Sequence, residues 1–168
     1  MQNAKDTFYE LLRSRIAAAN PERTIVLRGV ARPGVLVEEN ELVATVTTPD
    51  CFRLRWIEAS VDSANAMPVA TLLCEILYET AGTAGNGGMD RGRLLTAMDA
   101  ELAAAVNTCP QKTVKQNFTA LATGGSATSM STNIWWSDVV PGPLVVKGDR
   151  IARAAKVTVM SCEEAGEL

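Results

Sequence analysis

Val69-Ala70-Thr71-Leu72-Leu73-Cys74-Glu75-Ile76-Leu77-Tyr78-Glu79-Thr80 is the stretch on which the architecture turns. Leu72, Leu73, Ile76 and Leu77 recur at helical spacing, yet the run Leu73 to Tyr78 suits equally a strand covered on both faces. The residues just downstream decide between them. Gly82, Gly85, Gly87 and Gly88 interrupt the chain, and an amphipathic helix begins beyond them, with Asp90 at its N-cap and Leu94, Leu95, Met98, Leu102 and Val106 along its inner side. A sheet strand that leaves through a glycine-rich turn into a helix is a natural unit, so a strand is predicted over 69–80.

Upstream, Thr7-Phe8-Tyr9-Glu10 has the form of a capping box, which predicts a helix start. Phe8, Leu11, Leu12 and Ile16 lay an apolar stripe along that helix until Asn20-Pro21 stops it. From Arg23 the chain turns β-branched: Thr24 to Leu27 is predicted as a strand, Pro33-Gly34 as a turn and Val35 to Val37 as a strand. Glu38-Glu39-Asn40-Glu41 reads as a solvated turn or exposed edge, followed by strand composition from Leu42 to Thr47. In Phe52 to Glu58 the residues alternate, so Phe52, Leu54 and Trp56 share one face while Arg53 and Arg55 share the other. The paired arginines can receive an acidic partner or a phosphate; the plainer alternative is a solvated face with cross-strand ion pairs.

Downstream, Thr108 to Ser137 carries only Lys112 and Lys115 as charges, and Ala120 to Thr132 is little more than Ala, Thr, Gly, Ser and Met. Such a tract offers little apolar bulk for packing, which predicts a long low-charge loop or arm over 108–137. Pro141-Gly142-Pro143 breaks the chain again, and Arg150 to Ser161 reads as a closing strand. The sum is a single α+β domain over 1–168: a mostly antiparallel sheet with two helices packed on one face.

Composition bounds the chemistry. The 168 residues, at 17.9 kDa, are 47% hydrophobic and 21% charged, with mean hydropathy +0.07, enough to bury a core. Sixteen basic and nineteen acidic residues leave a net charge of -3 and a pI near 5.1, which argues against nucleic acid or a polybasic membrane contact as partner. Histidine is absent, which removes the Ser/His triad and every His-containing zinc site. Cys51, Cys74, Cys109 and Cys162 form no CxxC pair, so no metal and no cofactor is expected; with no leader at the N-terminus they read as reduced thiols in a cytoplasmic protein. Cys51, Cys74 and Cys162 have strand-like neighbours that suggest burial, whereas Cys109 beside Pro110 is expected to be exposed. Asn117-Phe118-Thr119 matches a glycosylation acceptor by chance. The longest uncharged run, Gln116 to Ser137, is too polar to span a membrane.

Three features compete as candidate sites. The glycines Gly85, Gly87 and Gly88, with Arg91 and Arg93, stand where backbone amides cradle phosphates, but the segment lacks a P-loop Lys and GxGxxG spacing, and Asp90 places a negative charge there. Glu75 and Glu79 share a face in helix or strand, as an acid and base pair would, without a histidine or a second carboxylate pair to support them. Trp135 and Trp136 are adjacent, so in a strand they point to opposite faces and both faces need cover. One face can be the core; the other needs a helix layer, the folded-back loop or another subunit.

The layout of helix, strand meander, glycine-rich turn, second helix and late strand resembles the small tail-terminator and tail-completion proteins of tailed bacteriophages and prophages. Phe8-Tyr9-Glu10-Leu11-Leu12, Cys74 to Thr80, Asp90-Arg91-Gly92-Arg93-Leu94-Leu95 and Trp135-Trp136 carry the likeness. It implies a non-catalytic subunit that assembles as a homo-oligomeric ring and contacts other tail or neck proteins, present in the bacterial cytoplasm during assembly and then in the virion tail. Expected oligomer contacts are Trp135, Trp136, Arg53 and Arg55. The alternative is a small cytoplasmic enzyme or ligand-binding domain that takes an anion at the Gly82 to Gly88 turn.

Overall fold

A computed structural model describes residues 1–41, 49–64, 67–165 and 167. The chain runs α1 (Gln2–Ala19), β1 (Thr24–Leu27), β2 (Val30–Pro33), β3 (Val35–Val37), a one-turn α2 (Glu38–Glu41), β4 (Phe52–Asp62), β5 (Val69–Thr80), α3 (Arg91–Asn107), β6 (Lys112–Asn117), β7 (Thr128–Trp136), β8 (Val140–Pro141), β9 (Val145–Lys147) and β10 (Arg150–Cys162). The main sheet has the order β3-β4-β5-β10-β7-β6, with β8 and β9 also on β10, and only the β3–β4 pair is parallel. The fold is α+β, as expected.

The predicted strand over 69–80 is β5, and its burial alternates along its whole length, with Ala70, Leu72, Cys74, Ile76, Tyr78 and Thr80 inward. It lies between β4 and β10 at the middle of the sheet, where Leu73 and Leu77 receive partial cover on the opposite face. This is why its sequence reads as apolar on both sides. The helices α1 and α3 touch each other and pack on the inward face: Phe8, Leu12 and Ile16 of α1 and Leu95, Met98, Leu102 and Val106 of α3 join Leu54, Leu72, Ile76, Val157 and Val159 in one core.

Several expectations are corrected. α1 starts at Gln2, so Thr7 does not cap it; the Thr7 hydroxyl donates to the Asn3 carbonyl (2.6 Å) and accepts from the Gln116 amide (2.9 Å), joining α1 to β6. Pro33-Gly34 is not the turn between the first strands. That turn is Arg28-Gly29, both at positive φ, as a two-residue type I′ hairpin requires, and Pro33 ends β2. Gly34 instead allows a close approach: a Cβ there would lie 3.1 Å from Arg23 Cγ. Glu38 to Glu41 is helical rather than a turn, and the strand expected from Leu42 to Thr47 lies outside the described residues.

The long loop over 108–137 is the largest correction. Strands β6 and β7 occupy most of it, and the connection shrinks to residues 118–127, which include a short 3-10 turn at Thr119–Thr123. Backbone pairing of β7 with β6 and β10 orders the tract, which therefore needs little apolar bulk. Ile134 and Trp136 alone enter the core from β7.

Candidate assembly surface

Sheet register fixes which side chains share the face turned away from the helices. Trp135 stands opposite Met160 on β10 and Lys112 on β6, and Met160 in turn opposes Thr71 on β5. The next rows on that face bring Thr158 beside Leu73, Lys156 beside Glu75 and Arg55, and Ala154 beside Leu77 and Arg53. Trp135, Met160, Leu73 and Leu77 are all half-buried, forming an apolar band bordered by charge. Trp135, Arg53 and Arg55 thus share one face of the sheet.

Trp136 leaves the candidate set. It is 4% exposed, its indole N–H donates to the Val106 carbonyl at 2.9 Å, and its ring meets Phe8 edge-on and the Arg15 guanidinium at 5.2 Å from the ring centre. The expected division of the two tryptophans is present, and the core has taken Trp136.

The two arginines are engaged internally. Arg53 pairs with Glu38 at 3.2 Å, and Arg55 donates to Glu75 at 2.5 Å across the strands, a contact that raises the Arg55 pKa. Glu79, the other member of the carboxylate pair, is held by Arg150 at 2.6 Å. Each carboxylate therefore has its own guanidinium.

At the glycine-rich turn the protein supplies its own anion. Thr83 donates to Asp90 through its amide (2.8 Å) and its hydroxyl (2.5 Å), and the Asn86 amide adds a third bond at 3.1 Å. These bonds, those of Thr83 first, hold the Asp90 carboxyl down at about 2. Asp90 is the N-cap residue of α3, as expected, but its side chain makes no capping bond to the helix. Arg91 is used in the frame, its Nε donating to the Ala81 carbonyl, with the guanidinium against Gly88. Gly87 and Gly88 adopt positive φ, while Gly85 and Arg93 line an open hollow of about 520 Å³ with Asn86, Met89 and Asp90.

The four thiols differ in cover. Burial pushes Cys51 up to about 11 and raises Cys74 further; Cys162 is half-buried and Cys109 exposed. Among the described residues no cluster of three or more metal-binding side chains occurs, and no helix is long and apolar enough to cross a membrane.

The sequence reading missed the sheet margins. Val26 and Val30 on the β1–β2 hairpin and Val140, Leu144, Val145 and Val146 beside β10 are among the most exposed apolar residues described. Val-Val-Pro-Gly-Pro-Leu-Val-Val over 139–146 contains no charge, a signal that was legible. In comparisons with known proteins, no family model matches the chain and no curated protein does.

Proposed function

We propose that the chain is a structural subunit of a phage or prophage tail, which assembles with copies of itself as a ring and meets neighbouring tail or neck proteins. One observation carries this reading: Val26, Val30, Val140, Val145 and Val146 leave apolar side chains exposed on strand margins, while Arg53, Arg55, Arg150 and Arg153 are each held by a carboxylate of the same chain. Unpaired sheet margins are material for contact between chains. On this reading the protein works in the bacterial cytoplasm during assembly and afterwards in the tail. Light scattering after size exclusion at micromolar concentration tests it, with a ring-sized species expected. The rival, an anion-binding domain or enzyme at Gly85, Gly87, Gly88, Arg91 and Arg93, requires an outside anion to compete with Asp90 for the Thr83 donors. A monomer or dimer stabilised by a nucleotide or sugar phosphate, by about 2.7 kcal/mol at 100 times its dissociation constant, would reverse the ranking.

A further inference from the structure

Two hairpins of this chain end in two-residue turns, Arg28-Gly29 between β1 and β2 and Gly148-Asp149 between β9 and β10. In an antiparallel hairpin of this kind the residues flanking the turn exchange backbone hydrogen bonds, and the next pair does not. The next pairs are Val26 with Ala31 and Val146 with Ile151, so the N–H and C=O of Val26 and of Val146 point outward, away from their partner strands. Val26 is 71% exposed and Val146 69%, and among the described residues β1 pairs only with β2 and β9 only with β10. The corresponding margin of β2 is blunted, because Pro33 has no N–H to offer. Two free strand margins, each centred on an exposed valine, therefore lie on different parts of the molecule: one on the separate two-stranded hairpin, the other on the main sheet beside β10.

We propose that these margins are the two halves of one contact, in which β1 of a second copy adds to β9 and extends the main sheet across the subunit boundary. The inference rests on the self-assembly reading above and names its interface. Charge favours a second copy as the occupant. The hairpin segment 24–33 has Arg28 and Arg32 and no carboxylate, whereas 138–149 has Asp138 and Asp149 against the single Lys147. Arg28 and Asp149 are both exposed, and neither is held by an ion pair among the described residues. A parallel alignment of β1 with β9 places the Val26 amide on the Val146 carbonyl, which sets Val26 opposite Lys147 and Arg28 opposite Asp149 at the turn. Val140 and Leu144 supply apolar cover beside the junction. Because the contact joins two different surfaces, each copy offers one half to the copy before it and the other to the copy after it, which closes as a ring when the rotation permits.

Proline tests the backbone bonds without touching the fold, since the Val146 and Val26 amides point away from their own hairpins. The full chain and its Val146→Pro and Val26→Pro variants are compared by light scattering across a concentration series, with circular dichroism to verify the fold. Each variant is expected to raise the concentration for half-assembly about tenfold or more, the factor that corresponds to the loss of one or two hydrogen bonds. Arg28→Glu should weaken assembly likewise, and Arg28→Glu with Asp149→Arg should restore it. Folded proline variants that assemble as well as the parent, or a charge exchange that fails to restore assembly, overturn this interface and leave the ring reading standing. A parent chain that stays monomeric throughout overturns both.

Discussion

Trp136 and Trp135 are neighbours in sequence and belong to two different regions of the molecule. On the helix side Trp136 is enclosed by Phe8, Arg15 and the Val106 carbonyl, and the surrounding core runs without interruption from α1 through the sheet to α3. On the other side Trp135 stands between its cross-strand neighbours Met160 and Lys112, and the band it joins is half-buried. The first region holds the fold together and the second is free to be covered. Substitutions that leave the backbone alone should therefore cost much on one side and little on the other.

The largest effect is expected at Trp136. Trp136→Ala removes an enclosed aromatic and its hydrogen bond, which should cost about 3–5 kcal/mol, read as a lower urea midpoint at unchanged slope. Trp135→Ala should cost below about 1 kcal/mol in the same measurement. Equal losses would show that the open face already carries the fold and would end the distinction.

Next comes Lys115, which lies in the tract expected as a long low-charge loop and which is fully buried. The bulge in β6 between Val114 and Gln116 coincides with its inward turn. Its ammonium donates to Glu167, to the Ser161 hydroxyl and to the Cys162 carbonyl, so all its donors are used. Lys115→Ala should cost about 3 kcal/mol, because the network then holds a carboxylate without its cation. Lys115→Met combined with Glu167→Gln should recover most of that loss in a double-mutant cycle. An inward charge on a margin strand also discourages pairing there, which sets β6 apart from the uncharged β9 margin at Val145 and Val146.

The two regions were unequally legible in the sequence. Period-two alternation in Phe52 to Trp56 and helical spacing in Leu95 to Val106 express burial on one side, and β4 and α3 agree with them. β5 was ambiguous because the middle strand of a sheet is apolar on both faces. β6 and β7 were hidden because strands held by backbone pairing need few apolar residues, and Ser and Thr suit them as well as loops. Lys115 could not be placed, since its partners come from the distant residues Ser161, Cys162 and Glu167. The division of Trp135 from Trp136 was readable from adjacency alone. Which of them faced the core depended on the register with β10.

Acid should loosen the contacts made by Glu101, Glu167 and Asp90. Burial opposes ionisation of Glu101, yet hydrogen bonds from Arg23 and Asn20 outweigh it and hold this carboxyl below its usual range. At Glu167 burial is likewise outweighed, by Lys115, the Glu164 amide and Asn3; bonds from Thr83 and Asn86 hold Asp90 at about 2. Each pKa is depressed in the folded state, so the stability it contributes is present above the unfolded value and is lost as pH falls through the folded one. The melting temperature should be nearly level from about pH 7 to 5 and fall between about 4.5 and 2. Glu101→Gln and Asp90→Asn should each flatten part of that fall, Asp90→Asn the part nearest pH 2. A melting temperature unchanged down to pH 2 would mean that these carboxylate contacts do not hold the fold.

The smallest effect is expected at Arg55, where the open face is tested on its own terms. Its ion pair with Glu75 is short, but the arginine side chain is 47% exposed and bonds made under solvent lose most of their worth to screening. Lys156 stands opposite Glu75 on the other flank of β5, so removal of Arg55 leaves the carboxylate beside a second cation instead of stranding it. Arg55→Ala should therefore change stability by no more than about 0.5 kcal/mol in urea unfolding. A loss above about 1.5 kcal/mol would mean that Arg55 acts as a structural clamp, as Arg23 does on Glu101 and Arg153 on Asp99. The boundary between the anchored and the free region would then have to move inward from the sheet face to its margins.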